Sequence, residues 1–306
     1  IDSLIKFSCV PSDLSIYSSI KKLKPGHIAE FDLGKNSEIN YPKIYQWWDY
    51  KSIIEESDKQ KLTSEKEVLL QLEEVLKDAT KDCSISDVPV GCFLSGGIDS
   101  GLIAALLSQN TSKKIDTFTI GFDDQDYDES NDAKKIANYL NTNHEEIILK
   151  PSEALDIIPN LPKIYSEPFA DSSQIPTALI CREIKRKGIN VALTGDGGDE
   201  IFGGYVRHFK GSHTWSKIKY IPYPIRAKIG TLFEILPPNI IAKINFSSKR
   251  NNLHQKIFRS AKRLRSIKSC DELYRSLILE NIDYSIYTKS FINKLNQSYI
   301  SSFSEL

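Results

Sequence analysis

Methionine is missing from this sequence: none of the 306 residues is Met, and the chain begins at Ile1. At a usual frequency of about 2%, roughly six methionines are expected in a chain of this length. We interpret the absence, together with the missing initiator residue, as the mark of a fragment or a processed product.

Long apolar runs are missing as well. No stretch approaches eighteen uninterrupted apolar residues, which excludes a membrane-spanning helix, and no secretion leader opens the chain. The cysteines are odd in number, widely scattered and without a CxxC pair, so they indicate neither a disulfide framework nor a zinc site. We therefore expect a cytoplasmic protein. The five cysteines are Cys9, Cys83, Cys92, Cys181 and Cys270.

Excess charge of one sign is absent overall, because 40 Lys and Arg balance 40 Asp and Glu. The balance hides a basic segment, since residues 205–270 carry fifteen Lys or Arg and one acidic residue, Glu234. Such a segment could contact nucleic acid. It lacks the aromatic and glycine pattern of an RNA-binding sheet and the spacing of a zinc finger, so we do not expect a nucleic-acid partner. A solvated helical surface or a positive rim near a phosphate site is favoured.

The hydrophobic pattern differs between the two ends of the chain and its middle. Residues 1–40 are typical of short extended pieces around a Pro25-Gly26 turn, and residues 51–66 are polar enough to be a linker. After Gly204 the pattern is mainly helical, and prolines are expected to break the helices. These prolines are Pro222, Pro224, Pro237 and Pro238.

In the middle of the chain, short apolar runs alternate with helical periodicity. This alternation predicts an α/β fold, a parallel sheet flanked by helices. The predicted strands are 88–94, 115–122, 144–149 and 189–193, and the predicted helices are 68–79, 100–109, 128–140, 152–166 and 174–187. His144, which opens the third strand, is interpreted as a core or strand-edge histidine.

A glycine turn joins the first predicted strand to a helix, and it reads Leu94-Ser95-Gly96-Gly97-Ile98-Asp99-Ser100. The two glycines allow a tight turn close to a ligand, while the hydroxyls and the helix N-terminus supply donors and positive potential. The turn suits a polyphosphate, although it is neither a Walker A loop nor the GxGxxG of dinucleotide sites. The alternative is an ordinary turn in which Asp99 or Ser100 caps the helix.

A second glycine turn follows the last predicted strand, and it reads Thr194-Gly195-Asp196-Gly197-Gly198-Asp199-Glu200. Carboxylates this dense at the carboxyl end of a parallel strand favour a counter-ion, and oxygen ligands suit Mg²⁺. A magnesium ion between Asp99 and Asp199 would hold a triphosphate against the first turn. The alternative is a surface turn rich in Asp and Gly.

Four segments, SGGIDS, TFTIGF with YDES, EPFADSSQIPT and ALTGDGGDEIFGGY, occur in this order. Together they resemble the synthetase domain of glutamine-hydrolysing asparagine synthetases, a member of the ATP-pyrophosphatase (PP-loop) group with an adenine-nucleotide α-hydrolase-like fold. VPSDLSIYSSIKKLKPGH and the Trp-Trp-Asp after it are similar to the end of that family's glutaminase domain. The resemblance implies that residues 1–50 are the β-structured remnant of a class II amidotransferase domain, 51–66 a linker, and 67–306 a synthetase domain incomplete at its C-terminal end.

In that family ATP and aspartate form β-aspartyl-AMP and pyrophosphate, and ammonia then displaces AMP. The resemblance therefore implies an ATP-dependent amide-forming ligase of asparagine biosynthesis that uses ATP and Mg²⁺. The implied partners are aspartate or a related carboxylate, ATP, and ammonia supplied by glutamine. A homodimer is compatible with the resemblance, and no membrane partner is expected.

The resemblance also implies roles for individual residues. Asp99 and Asp199 would bind the metal, and with Asp196 they would be the catalytic carboxylates. Asp196 stands where well-studied members carry Glu, one methylene longer, at a step where a cationic intermediate must lose a proton. Residues expected to contact the substrate are Ser172, Ser173 and Glu200. The residues expected to bind ATP are Leu94, Ser95, Gly96, Gly97, Asp99, Ser100, Ile120, Thr194 and Gly195.

Two features of the family have no match here. Its glutaminase nucleophile is an N-terminal cysteine, whereas Cys9 is interpreted as a small buried residue. A later motif with a phosphate-contacting lysine is not recognisable before Leu306. We predict that the chain alone does not hydrolyse glutamine and that its ammonia-dependent activity is weak or absent.

Three functions stay open at this point. The first is amidation of aspartate. The second keeps the adenylation chemistry but uses another carboxylate, such as a sugar uronic acid or the substrate of a β-lactam-type closure. The third is a non-catalytic nucleotide-binding module.

Overall fold

The computed structural model describes residues 2–12, 14–32, 41–122, 129–235 and 253–278. Backbone contacts divide the chain into two compact units: Val10–Gly204 on the one hand, and Tyr205–Leu306 together with Ile1–Cys9 on the other. The predicted change to a mainly helical pattern after Gly204 coincides with the boundary between them.

Six strands and thirteen helices lie within the described residues, with 3-10 turns at Asp58–Gln60 and Ile158–Asn160. None of these helices is long and apolar enough to cross a membrane. The strands are β1 His27–Glu30, β2 Lys43–Gln46, β3 Val90–Phe93, β4 Asp116–Phe122, β5 Asn143–Leu149 and β6 Val191–Leu193. The helices are α1 Asp2–Phe7, α2 Tyr50–Ser57, α3 Glu65–Cys83, α4 Ile98–Gln109, α5 Ser130–Leu140, α6 Pro151–Ile157, α7 Leu161–Ile164, α8 Gln174–Arg186, α9 Gly198–Phe202, α10 Val206–Ile218, α11 Tyr223–Ile235, α12 Leu253–Ser266 and α13 Cys270–Ile278.

The unit Val10–Gly204 begins with an antiparallel pair, β1 and β2. The predicted turn before β1 is confirmed, because Gly26 has a φ of +69°, which favours glycine. The carbonyl oxygen of Gly26 accepts hydrogen bonds from the backbone N–H groups of Trp47 (2.9 Å) and Trp48 (3.2 Å). This turn therefore ties the start of β1 to the end of β2.

A four-stranded parallel sheet forms the centre of the same unit, in the order β5-β4-β3-β6. In its register, Gly91 of β3 lies opposite Asp116 of β4, and Val90 of β3 lies opposite Val191 of β6. The predicted α/β class and all four predicted strands are confirmed. Since β3 and β6 are parallel neighbours, the turns that follow them lie side by side at the carboxyl edge of the sheet.

Helices cover both faces of this sheet. Successive residues of β3 and the position after it point to opposite faces, as in any pleated strand. Cys92 and Leu94 belong to a buried cluster with residues of α4 and α5. Phe93 packs against a second cluster, which contains Phe118 of β4 and the fully buried Leu179 of α8. The sheet is therefore clamped between two apolar layers, and only its edges are open to polar chemistry.

Residues 51–66 contain more structure than a linker needs, because α2 and a 3-10 turn fill most of the segment. The carboxylate of Asp49 accepts the N–H groups of Lys51 (3.2 Å) and Ser52 (3.3 Å) as well as the Ser52 hydroxyl. These hydrogen bonds, that of the Ser52 hydroxyl first, lower the pKa of Asp49. No residue of α2 is buried, so the helix depends on its cap rather than on an apolar stripe.

Four smaller expectations are wrong. Residues 1–40 are not only extended pieces, since Asp2–Phe7 forms α1. The single helix predicted over 152–166 is instead α6 and α7, with a 3-10 turn between them.

The other two concern Pro224 and Cys9. Pro224 does not interrupt a helix, since it is the second residue of α11. In the first turn of a helix the backbone N–H groups have no partner within the helix, so a proline there costs no hydrogen bond. Cys9 is exposed rather than buried, and it follows Ser8, whose φ of +61° ends α1. Pro237 and Pro238 lie outside the described residues.

In the other unit, the residues that the structure describes are mainly helical, as predicted. α11 and α12 cross with their backbones in contact, because a side chain at Gly230 would lie 2.6 Å from the carbonyl oxygen of Ala261. Arg226 is 4% exposed, and its guanidinium donates to the carbonyl oxygens of Ile221 (2.9 Å) and Ile267 (3.0 Å). This buried arginine therefore ties the start of α11 to the end of α12.

Candidate nucleotide-binding site

The first glycine turn leaves the sheet immediately after β3. The backbone N–H of Leu94 still donates to the carbonyl oxygen of Phe118 (2.8 Å), so pairing with β4 extends one residue beyond the strand. The chain then reverses over three residues, and α4 begins at Ile98. The exposed Gly96 and Gly97 thus lie between a strand end and a helix N-terminus, the arrangement that binds phosphate in many α/β proteins.

Two serine hydroxyls hold this turn from within. The Ser100 hydroxyl accepts the backbone N–H of Ser95 (3.0 Å) and lies 2.8 Å from the Ser95 hydroxyl. The Ser95 hydroxyl accepts the N–H of Gly97 (3.1 Å). The turn is therefore held in shape by its own side chains, and its donors do not need to be ordered by a ligand.

The second glycine turn leaves β6 and is shaped by its backbone. Gly197 has a φ of +92°, and the N–H of Gly198 donates to the carbonyl oxygen of Gly195 (3.2 Å). The N–H of Asp196 donates to the Thr194 hydroxyl (3.2 Å). The turn leads directly into the short helix α9, and the Asp196 side chain is exposed.

The two turns touch each other through Asp99. A side chain at Gly195 would lie 2.7 Å from the backbone nitrogen of Ser100 and 3.0 Å from Cβ of Asp99. A side chain at Gly198 would lie 2.6 Å from Cγ of Asp99. Only glycine at these two positions allows so close an approach, since real Cβ atoms do not come within 3.0 Å of such neighbours. The structure thus brings together Asp99, Ser100, Gly195 and Gly198.

The two carboxylates predicted to bind metal differ in orientation. The Asp99 carboxylate lies against Gly198, where the turns meet, whereas the Asp199 carboxylate lies against the α-carbon of Gly204. Mg²⁺ is commonly held by one or two carboxylates together with substrate phosphates, so this pair fits the donor chemistry of the ion. Among the described residues no three His, Cys, Asp or Glu side chains are grouped as a metal site.

The predicted nucleoside residues occupy different environments. The Leu94 side chain is 2% exposed and packs under α4 and α5, while Ile120 is half-buried against the cluster on the opposite face. A nucleoside at this edge would therefore meet the backbone of Leu94 rather than its side chain. Thr194 is half-buried at the second turn.

The predicted substrate residues lie on two segments. Glu200 is exposed on α9. Ser172 and Ser173 are exposed on the loop between α7 and α8, where the N–H of Ser173 donates to the Asp171 carboxylate (2.8 Å). This backbone hydrogen bond is the main reason that the pKa of Asp171 is lowered. The roles of all three predicted substrate residues stay predictions.

Sequence reasoning missed two acidic residues beside the first turn. A side chain at Gly96 would lie 3.0 Å from Cβ of Asp132 and 3.7 Å from Cβ of Glu129. Asp132 pairs with Lys135 one helical turn later (2.7 Å), and Lys135 also lines a groove of about 460 Å³ that begins at Gly96 and Gly97. The YDES segment, which ends in Glu129 and Ser130, was the signal that could have pointed to them.

His144 lies away from this site, near the amino end of β5. Its Nδ1 is 3.0 Å from the Thr117 hydroxyl, which is itself 2.8 Å from the Thr142 hydroxyl. Burial lowers the pKa of His144, and the coulombic effect of Glu146 partly opposes this. The interpretation of His144 as a core or strand-edge residue is confirmed.

Curated relatives resemble this chain over the middle of its length. A putative asparagine synthetase [glutamine-hydrolyzing] 2 of Methanocaldococcus jannaschii is 42% identical over 205 residues, which cover 66% of this chain and 37% of that protein. Asparagine synthetase [glutamine-hydrolyzing] 1 of Bacillus subtilis is 31% identical over 66% of this chain and 30% of its own length. Asparagine synthetase B [glutamine-hydrolyzing] of Escherichia coli is 31% identical over 64% of this chain and 38% of its own length. The chain thus spans about a third of the length of these relatives.

A solved structure of an NH3-dependent NAD synthetase from Campylobacter jejuni matches 65% of this chain and 97% of that chain, with a TM-score of 0.32 and 13% sequence identity. Nothing about function follows from a likeness of this size. The family model described as asparagine synthase matches residues 71–289. Because that match covers well over half of the sequence, the chain belongs to the asparagine synthase family.

Proposed function

We propose that this chain carries the ATP-dependent half of asparagine synthesis, in which the side-chain carboxylate of aspartate is adenylated and then converted to an amide. The observation that supports this most strongly is the contact of the two glycine turns through Asp99 at the carboxyl edge of the sheet. That edge is where ligands bind in parallel α/β sheets. Membership of the family supplies the reaction class.

In the proposed site, the pyrophosphate part of ATP lies on the first turn. Ser95 and Ser100 turn their hydroxyls to the phosphate oxygens, and Gly96 and Gly97 allow the phosphate to approach the backbone. The N-terminus of α4, a helix of 12 residues, adds positive potential there. The nucleoside lies against the Leu94 backbone, Ile120, Thr194 and Gly195.

Asp99 and Asp199 are proposed to hold Mg²⁺. The ion would neutralise charge that develops on the phosphate oxygens when pyrophosphate leaves. Asp99 already lies where the two turns meet, and Asp199 directly follows Gly198, against which the Asp99 carboxylate lies. An oxygen of the aspartate carboxylate attacks the α-phosphorus, and the bond from that phosphorus to the pyrophosphate oxygen breaks.

Amide formation needs a base near the second turn. When ammonia attacks the activated carbonyl carbon, AMP leaves and the new nitrogen carries an extra proton. Asp196 is exposed beside Thr194 and is proposed to accept that proton. Ser172, Ser173 and Glu200 are proposed to contact the aspartate, and glutamine is proposed as the source of ammonia in the longer enzyme.

Three further parts of the proposal concern the setting of the reaction. Residues 1–50 are proposed to be the end of a glutaminase domain, 51–66 its connection, and 67–306 the synthetase domain. The enzyme is proposed to work in the cytoplasm, and a homodimer is its proposed assembly.

The test is ATP–pyrophosphate exchange with the purified protein. We expect Mg²⁺-dependent exchange that aspartate stimulates more than glutamate or a uronic acid. Asp99→Asn is expected to reduce the exchange rate by about 100-fold or more, since it removes a carboxylate ligand of the proposed Mg²⁺ ion. Asp87→Asn, at an exposed position before β3, is the matched control and is expected to have no effect.

Other outcomes would change the proposal in defined ways. Stimulation by a different carboxylate would retain the adenylation step and replace the acceptor. Mg²⁺-dependent ATP binding without exchange for any carboxylate would contradict the proposed enzyme and indicate a nucleotide-binding module.

A further inference from the structure

One carboxylate ties the N-terminal part of the sheet unit to the loop that carries Ser172 and Ser173. The Glu167 side chain accepts the backbone N–H of Ile16 (2.8 Å) and pairs with the ammonium group of Lys22. The same ammonium group donates to the carbonyl oxygen of Val10 (3.2 Å). Glu167 thus connects Ile16 and Lys22, and through Lys22 also Val10, with the start of a loop about 150 residues later.

The Glu167–Lys22 ion pair is partly shielded from solvent. The Glu167 side chain is 16% exposed and the Lys22 side chain 34% exposed. The hydrogen bond from Lys22, followed by that from the Ile16 N–H, lowers the pKa of Glu167. The carboxylate is therefore ionised at neutral pH and keeps both interactions.

Apolar side chains of the same segment are only partly buried. The large ones among residues 14–22 are all more than a third exposed, and they are Leu14, Ile16, Tyr17 and Ile20. The ion pair and the hydrogen bond at Glu167 supply a directional link between the segment and the loop, which partly exposed apolar surface does not.

Internal hydrogen bonds and a ring contact connect the two ends of the loop around Glu167, residues 165–174. The Tyr165 hydroxyl donates to the carbonyl oxygen of Gln174 (2.9 Å), and the Gln174 amide donates to the carbonyl oxygen of Phe169 (3.1 Å). The rings of Tyr165 and Phe169 meet edge to face, with centroids 4.9 Å apart. A loop braced in this way moves as a unit, so a constraint at Glu167 reaches Ser172 and Ser173.

We propose that Glu167 and Lys22 are positioning residues, which hold the loop 167–173 against residues 10–22 in the orientation that binds the acceptor carboxylate. The proposal rests on the proposed function, in which Ser172 and Ser173 contact the acceptor. Neither residue touches the reacting atoms, and neither belongs to the two glycine turns. Loss of the pair should therefore weaken the acceptor interaction and leave ATP binding unchanged.

The variants are Glu167→Gln, Lys22→Met and the double variant, with Lys21→Met as the control at the exposed neighbouring position. Each single variant is expected to raise the aspartate concentration for half-maximal ATP–pyrophosphate exchange about five-fold, the size typical of a partly exposed pair. The double variant is expected to show about the same loss as either single variant, because both remove one shared interaction. The ATP concentration for half-maximal exchange and the maximal rate should stay at their wild-type values.

Hydrogen exchange of the unliganded protein supplies a readout that does not depend on catalysis. Backbone amides of 167–174 and the Ile16 amide should exchange faster in Glu167→Gln and Lys22→Met than in Lys21→Met. If hydrogen exchange of these amides is unchanged in both variants, the proposal is overturned. It is also overturned if the ATP concentration for half-maximal ATP–pyrophosphate exchange rises together with that for aspartate. If aspartate does not stimulate ATP–pyrophosphate exchange in the wild-type protein while the amides respond as expected, the acceptor assignment fails, but the contact of Glu167 with residues 10–22 is supported.

Discussion

The two edges of the parallel sheet use polar residues in opposite ways. At the carboxyl edge, Gly96, Gly97 and Asp196 are exposed. At the amino edge, the Thr117 hydroxyl is bonded to both Thr142 and His144, and Thr117 is fully buried. Polar groups that bond to one another inside the protein stabilise the fold, whereas polar groups exposed at the surface are available to a ligand.

The two edges also differ in which atoms make the packing contacts. At the carboxyl edge the backbones of the two turns touch because Gly195 and Gly198 have no side chains. At the amino edge the contact is made by side chains from neighbouring strands. A mutation should therefore affect ligand binding at one edge and stability at the other.

The largest expected effect is at Gly195. In Gly195→Ala the new methyl group would lie 2.7 Å from the Ser100 nitrogen and 2.9 Å from the Asp99 carbonyl carbon, so the turns must separate. A displacement approaching 1 Å at a reaction site is expected to reduce ATP–pyrophosphate exchange by about 100-fold. ATP affinity, measured by calorimetry, should fall with it.

Gly101→Ala is the matched control for this change. Its methyl group would meet Ile136 at 3.6 Å, an ordinary contact, and alanine in a helix is favoured over glycine by about 1 kcal/mol. ATP binding close to the wild-type value in Gly195→Ala would show that the contact between the turns is not needed for the site.

A smaller effect is expected at the other edge. Thr117→Val keeps the side-chain shape but removes the hydroxyl that Thr142 and His144 share, which should lower the free energy of unfolding by about 1–3 kcal/mol. ATP affinity should not change. Urea denaturation and calorimetry check both parts, and Thr119→Val, at an equally buried position of β4 outside the cluster, is the comparison. If ATP affinity falls in Thr117→Val but not in Thr119→Val, the amino edge also contributes to ligand binding, which would contradict the proposed difference between the edges.

The smallest expected effect is a pH dependence at His144. Because burial lowers its pKa in the folded protein, the unfolded chain binds the proton more readily as the pH falls below about 6.5. The contribution of neutral His144 to stability is therefore complete above that pH and decreases below it. Between about pH 7.5 and about pH 5.5, the midpoint of thermal unfolding should decrease less in His144→Gln than in the wild type. His213→Gln, at an exposed position, should show the same decrease as the wild type. An equal decrease in all three proteins would argue against the burial of His144 as the cause.

The elements around the candidate site could be predicted because they follow local rules. The buried strand β3 is a short apolar run, and the glycines after it mark a turn. In α5, Ala133 and Ala137 recur at helical spacing and are buried. The exposed helix α2 could not be predicted in this way, because it has no apolar stripe and depends on the Asp49 cap.

Local patterns were enough to predict the four parallel strands, most of the helices between them, the two glycine turns and the family to which these turns point, because each depends on near neighbours in the chain. Which distant groups meet is set by the folding of the whole unit. It placed Asp99 against Gly195 and Gly198, Asp132 beside Gly96, and Glu167 on Lys22. These contacts arise when the parallel strands β3 and β6 pair and the loops fold over the sheet edge, and no local pattern records such distances.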